Sequence, residues 1–363
     1  MQRLQAIVVL GFMFALITAP TFVGYAQKKT KKPSGSKANE TKPTLPPEPP
    51  PITQGPLLDS AQLLIQRTFY SLEEAKRQPA NVYKLRLDES QLKSLSPEIG
   101  KLLNLQELSL AGNELQTLPP EIGKLTNLQV LVLDKNRIKR LPREIGQLKN
   151  LHGLFLNSYN QSDEESSIME ERAAEELKAL WQEIPNLPNL TILGLGNNRL
   201  TALPSAIMSA KNLQELYVNN NQLQELQSSI GQLQNLRRVD LSNNALKELP
   251  ESIGSLSQLE MLDVRLNQLK EVPVSIGKLK ALLDLDISFN NIKALPDEIC
   301  NLENLRQLNI SGNRLTTLPA DIGKLNLKRL KMADNSIQDY QDLTRKLFPL
   351  IKKKTIIERD EKR

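Results

Sequence analysis

Eleven copies of one 23-residue pattern fill the chain from Val82 onward, and this periodicity constrains the fold more than any other feature. With Leu105, Leu128, Leu151, Leu190, Leu213, Leu236, Leu259, Leu282 and Leu305 as first positions, L-x-x-L-x-L-x-x-N-x-L-x-x-L-P-x-x-I-G-x-L-x-N recurs. Val82 begins a degenerate first copy and Leu327 a shortened last one. The spacing is 23 residues, except for 39 between Leu151 and Leu190 and 22 between Leu305 and Leu327. A unit this short cannot enclose a core of its own, so neighbouring copies must stack and share one.

Each slot of the pattern then has a chemical reason. The alternation in L-x-x-L-x-L predicts a short strand whose slots four and six, such as Leu108 and Leu110 or Leu285 and Ile287, point inward. Successive strands must pair in parallel. The slot-nine asparagine (Asn113, Asn136, Asn198, Asn221, Asn244, Asn267, Asn290, Asn313, Asn335) stands where the chain leaves the sheet, and its amide can both donate to and accept from buried backbone groups. Pro119, Pro142, Pro204, Pro250, Pro273, Pro296 and Pro319 set the return segment, where no strand hydrogen bond is lost. The Ile-Gly pair, as at Ile122 and Gly123, is read as an aliphatic knob followed by a turn.

In these slots the chain resembles the leucine-rich-repeat family, and its L-P-x-x-I-G-x-L-x-N-L variant is similar to bacterial repeat proteins, plant Ras-group and disease-resistance-like repeat proteins, and animal Ras-pathway scaffolds. The resemblance implies an α/β architecture, a curved right-handed solenoid (horseshoe) of about eleven repeats with a parallel sheet on its concave side, used for recognition. It does not imply which ligand. Ser90 and Tyr159 replace asparagine, Ser96 and Gln227 replace proline, and Met208 and Cys300 replace glycine, so distortion is expected beside Tyr159.

The flanks read differently. Residues 1–26 have the layout of a signal peptide: Arg3, an apolar run from Ala6 to Thr18, and Gly24-Tyr25-Ala26 before Gln27. The other reading is an uncleaved anchor over Ala6 to Ala26. Residues 27–56, rich in Lys and Pro, are read as a solvated linker. Residues 57–81 are read as a helical cap, with Ser71 opening a short helix that stops before Pro79. Repeats span 82–339, and residues 340–363 are read as a C-terminal cap and basic tail in which Leu343, Leu347, Phe348, Leu350 and Ile351 cover the last coil. The extra residues between Leu151 and Leu190 predict an acidic helical insertion at 161–184, carrying eight acids against Arg172 and Lys178, with an apolar stripe that includes Trp181. That stripe either packs on the solenoid or forms a partner-binding protrusion.

Charge and composition narrow the chemistry. The net charge of +6 belongs to the termini: residues 27–56 carry +4 and 343–363 carry +5, whereas 57–342 carry −4. The folded part has no basic excess to track phosphates, so nucleic acid is not expected as a partner. One histidine, His152, and one cysteine, Cys300, fall in distant repeats on opposite sides, which leaves no catalytic dyad, no metal site and no disulfide, and no cofactor is expected.

The strand slots facing away from the core hold the candidate site. Slots three and five place Val130, Val132, Phe155, Ile192 and Tyr217 in an apolar patch, followed by an acidic row at Asp240, Asp263 and Asp286 with Arg238 alongside. The acidic row also has a plainer reading, a solvated stripe neutralised by Arg237, Arg238 and Arg265. The expectation is a secreted, periplasmic or cell-surface module, not an enzyme, that binds a protein or peptide with a basic surface. An intracellular-type signalling scaffold and a cell-wall or glycan binder are the alternatives, the latter weakened because only Phe155, Tyr217 and Phe289 offer aromatic platforms.

Overall fold

The computed structural model describes residues 54–158 and 181–359. The signal segment, the linker up to residue 53, Tyr159, most of the acidic insertion and residues 360–363 lie outside that range. Three-residue strands occupy slots three to five of every repeat, from Lys84–Arg86 (β2) through Glu107–Ser109 (β3), Val130–Val132 (β4), Gly153–Phe155 (β5), Ile192–Gly194 (β6), Glu215–Tyr217 (β7), Arg238–Asp240 (β8), Met261–Asp263 (β9), Asp284–Asp286 (β10) and Gln307–Asn309 (β11) to Arg329–Lys331 (β12). The slot-four residue of each is buried in one continuous leucine core. All strands pair in parallel with no slip in register, so slot-five residues line up from one repeat to the next. The long spacing does not interrupt the sheet, because Leu154 still pairs with Leu193. Where the insertion rejoins the described chain, Trp181 and Ile184 are buried in the core.

The sheet has 13 strands, two more than the repeats supply. Thr68–Phe69 (β1) pairs with β2, and Ile356–Glu358 (β13) pairs with β12. Both ends are therefore closed by a strand as well as by helices. At the front, Ser60–Leu64 (α1) and Leu72–Ala75 (α2) bury Leu63 and Ala75, while Leu64, Ile65 and Tyr70 face outward. The Ser71 hydroxyl accepts the Glu74 amide as the N-cap of α2. At the back, Tyr340–Lys352 (α3) buries Leu343, Leu347 and Leu350. Phe348 and Ile351, expected to share that duty, lie exposed, because the 3.6-residue period takes positions 343, 347 and 350 to one face and leaves 348 and 351 off it. The linker reading also changes at its end: Gln54 donates to Asn127 Oδ1 (2.7 Å), and Asn127 donates to the Gly55 carbonyl (3.0 Å), so these residues are bound to the repeats.

The asparagine ladder has the double role the repeat implies. Asn221 donates to the carbonyls of Leu195 (2.9 Å), Val218 (2.9 Å) and Asn219 (3.2 Å), and accepts from the Leu200 amide (2.9 Å). Two of these partners, Leu195 and Leu200, belong to the preceding repeat. At the insertion, Asn198 Oδ1 accepts instead from the Ser158 hydroxyl at 2.7 Å.

The glycine slot works otherwise than expected. The 3-10 turns after the prolines stack coil on coil, Pro120–Lys124 against Arg143–Gln147 and Glu251–Ser255 against Val274–Lys278. A Cβ at Gly123 would stand 2.7 Å from the Glu144 carbonyl oxygen of the next coil. Among the described glycines only Gly112 and Gly312 have positive φ, so the repeat glycine is required by close backbone approach rather than by a turn. The left-handed position is slot eight, just before the ladder asparagine. It is held by Gly112 and Gly312 but also by Lys135, Leu266 and Phe289, whose φ values are 53° to 55°.

Candidate recognition face

The face of the sheet turned away from the leucine core carries a second, separate apolar cluster. Ala111, Val132, Phe155 and Ile192 are buried in it, and Val130 and Tyr217 pack against it half-exposed. The patch was expected to be open. Instead Val132 is 1% and Phe155 3% exposed. The cause is in the neighbouring slots. Gly153 and Gly194 lack side chains, and a Cβ on Gly194 would come within 2.8 Å of the Phe155 ring, so the ring occupies the space those glycines leave and lies against the strands. Phe155 is thus the floor of the patch, and Tyr217 and Val130 are its accessible parts. Gly153 stands in slot three and Gly194 in slot five of their repeats, but their spacing does not encode which way the ring lies.

Tyr217 joins this cluster to the charged zone. Its hydroxyl donates to Glu215 Oε2 at 2.6 Å, and Glu215 lies 3.9 Å from Arg238. Burial, together with the Glu215 carboxylate, pushes the Tyr217 phenol far above its ordinary value, so it remains a hydrogen-bond donor. Beyond it, Asp240, Asp263 and Asp286 stand directly opposite one another on β8, β9 and β10.

Like charges in register are unfavourable, and each aspartate has a local reason to be there. Asp240 Oδ1 accepts the Ser242 amide (2.9 Å), Asp263 Oδ1 the Arg265 amide (3.1 Å) and Asp286 Oδ1 the Ser288 amide (3.0 Å). Every carboxylate thereby satisfies the backbone as the chain leaves its strand. The electrostatic strain appears at the middle member. Burial, with Asp240 and Asp286 on either side, raises Asp263 to about 7. Of the three arginines read as neutralising the row, only Arg265 reaches it, 3.5 Å from Asp263. Arg237 pairs with Glu260 (2.8 Å), and Arg238 turns toward Glu215.

The remaining reactive groups are dispersed. His152 Nδ1 lies 3.2 Å from the Asn189 carbonyl, and burial pushes the half-buried Cys300 thiol up to about 11. Among the described residues no group of three or more His, Cys, Asp and Glu is placed to hold a metal ion, and no helix is long and apolar enough to cross a membrane.

Slot two adds a feature along the edge of this face. Gln106 and Gln129 hold Leu58 between them: the Leu58 amide donates to Gln106 Oε1 (3.1 Å), and Gln129 Nε2 donates to the Leu58 carbonyl (3.2 Å). In the last repeats the same slot carries Leu283, Arg306 and Lys328, which line a groove. In the sequence this shows only as two consecutive basic residues, Arg306 and Lys328, at the end of one slot.

Comparison with known proteins agrees with this architecture. The profile of the leucine-rich repeat region matches residues 82–181 and 228–291, and two further leucine-rich-repeat profiles match 188–246 and 304–325. A leucine-rich-repeat protein of Leptospira interrogans is 31% identical, with 82% of this chain and 100% of that one covered and a TM-score of 0.47. The functional domain of InlJ from Listeria monocytogenes is similar at 22% identity and TM-score 0.56, over 78% of this chain and 55% of that one. A chain from an octameric complex of Latrophilin 3, Unc5D and FLRT2, the last contributing leucine-rich repeats, is similar at 23% identity and TM-score 0.56, over 70% and 76%. No curated protein sequence matches the chain.

Proposed function

We propose, from the premise that this chain belongs to the leucine-rich-repeat family, that it is a non-enzymatic recognition module which binds a protein or peptide partner through the outward face of its sheet, outside the cytoplasm. One observation carries the reading: an apolar cluster and a row of three aspartates adjoin on one rigid face, coupled by the chain Tyr217, Glu215, Arg238. An aliphatic or aromatic anchor over Tyr217 and Val130 would gain burial on the Phe155 floor, while basic groups meet Asp240 and Asp263. A protein partner also accords with the similar fold found within the Latrophilin 3, Unc5D and FLRT2 assembly. The placement outside the cytoplasm rests on the signal-like residues 1–26.

Affinity capture from an extracellular extract, with the parent and Tyr217→Ala run side by side, tests the assignment. A partner retained by the parent should dissociate faster from Tyr217→Ala, whereas Asp240→Asn with Asp263→Asn should slow association and flatten its salt dependence. Unchanged kinetics in all these variants, with binding lost on replacing residues 161–180, would move the site to the insertion. Mass spectrometry of natively expressed protein should find Gln27 as the first residue; an intact Met1 on cytosolic material would refute the location.

A further inference from the structure

The groove at the C-terminal end of the sheet adjoins the face just described and shares Arg238 with it. It holds a volume of about 500 Å³, lined among others by Arg238, Met261, Leu283, Arg306, Lys328 and Ile356. That volume lies within the roughly 300–1,000 Å³ of pockets that take small ligands. Its apolar surface is open: Leu283 is 41% and Ile356 55% exposed. Its acids are Glu260, which is paired with Arg237, and Asp284, which burial and Asp286 hold above the usual carboxylate range. Its other cations include Arg329, 3.6 Å from Glu358. Arg306 and Lys328 are exposed, and neither side chain takes part in any hydrogen bond or ion pair of the described residues.

We propose that this groove binds an acidic, leucine-rich-type peptide segment of a partner protein in extended form, its carboxylates on Arg306 and Lys328 and its aliphatic side chains on Met261, Leu283 and Ile356. Two observations select that occupant. The first is charge: two unpaired cations flank an apolar floor, a pairing that matches alternating carboxylate and aliphatic groups. The second is geometric. The same slot already holds an extended segment in the first repeats, where Gln106 and Gln129 grip the backbone at Leu58 and Asn104 and Asn127 grip Gly55. The slot-two strip is therefore a track along which backbone can lie. It is neutral at Gln106 and Gln129, where it holds the protein's own chain, and basic at Arg306 and Lys328, in the groove. Ile356 comes from β13, so the strand that the C-terminal segment adds to the sheet contributes one side of the groove.

The full chain can be titrated by fluorescence anisotropy with a labelled peptide that alternates Glu and Leu, alongside its Gln-Leu and Lys-Leu counterparts. The Glu-Leu probe should bind at least about tenfold tighter than the Gln-Leu probe, and its affinity should fall with salt. Arg306→Gln with Lys328→Gln should remove that advantage, with the melting temperature unchanged since both side chains are exposed and unpaired. Leu283→Ser should weaken the Glu-Leu probe. Equal binding of Glu-Leu and Gln-Leu probes, or full affinity in the Arg306 and Lys328 double variant, would overturn the proposal. So would a heparin fragment that binds as tightly as the peptide while Leu283→Ser has no effect, since the groove would then be a generic polyanion site.

Discussion

Replacing Asn267 by leucine tests the ladder at a fully enclosed rung, and its cost can be worked from the partners. The Asn267 amide donates to the carbonyls of Leu241 (3.0 Å), Val264 (3.0 Å) and Arg265 (3.2 Å), and accepts from the Leu246 amide (3.0 Å). The three carbonyls are each held twice. Leu241 also accepts from Asn244, Val264 from Asn290, and Arg265 from the Asn243 amide, so none is orphaned by the substitution. The buried Leu246 N–H is the group left without a partner. An unpaired buried donor costs about 1–3 kcal/mol, and three carbonyls each losing one of two bonds add about 0.5 kcal/mol apiece, for a total of roughly 2.5–4.5 kcal/mol. Urea unfolding should report that loss, with hydrogen exchange at Leu246 accelerated. Asn267→Asp keeps the acceptor for Leu246 but turns a charge toward three carbonyls, so it should be at least as destabilising at neutral pH and recover on acidification. A loss below about 0.5 kcal/mol for the leucine variant, the range of ordinary surface changes, would refute the reasoning.

The aspartate row gives a pH prediction with a definite sign. Because Asp263 is raised to about 7 when folded, the folded state holds an extra proton between roughly pH 4 and 7, and stability should fall as pH rises through that window. Asp263→Asn, which keeps an acceptor for the Arg265 amide, should flatten this slope in thermal melts; an unchanged slope would count against the coupling of the three carboxylates. Leu266 pays for a left-handed φ of 55° with an exposed side chain, so Leu266→Asn should stabilise by about 0.5–1 kcal/mol, and a loss of stability in urea titration would contradict it. The buried hydroxyl of Ser275 has no hydrogen-bond partner, so Ser275→Ala should leave the melting temperature unchanged or raise it, by up to about 1 kcal/mol of stability. A clear drop would mean that the hydroxyl is satisfied in solution.

Much of this architecture was legible because repetition makes periodicity unambiguous. The strands fall in slots three to five, and the ladder asparagines bond as their amide chemistry demands. What escaped the sequence has no periodic signature. Thr68–Phe69 and Ile356–Glu358 extend the sheet from segments that do not share the repeat, where only tertiary packing selects a strand. Lys135, Leu266 and Phe289 carry no local preference for the left-handed position they occupy; the stacked neighbours impose it. In the candidate site, register predicted the aspartate row and the apolar patch. The depth of Phe155 depends on ring orientation over Gly153 and Gly194, which spacing does not encode. The basic groove combines slot two with β13, and so needed the cap strand before it could be seen.

The ladder also makes the solenoid directional. Each asparagine reaches back: Asn244 serves the Leu223 amide, Asn267 serves Leu246, and Asn335 serves Leu315. A repeat removed from the front takes away carbonyls, and the asparagine behind it merely loses acceptors that water can replace. A repeat removed from the back strands a buried donor in the repeat before it. Truncation should therefore be asymmetric, with N-terminal shortening tolerated further than C-terminal shortening of equal length. Growth of folded structure should likewise be favoured when the C-terminal neighbour is already in place, so a chain emerging from its N-terminus completes each coil only after the next one has arrived.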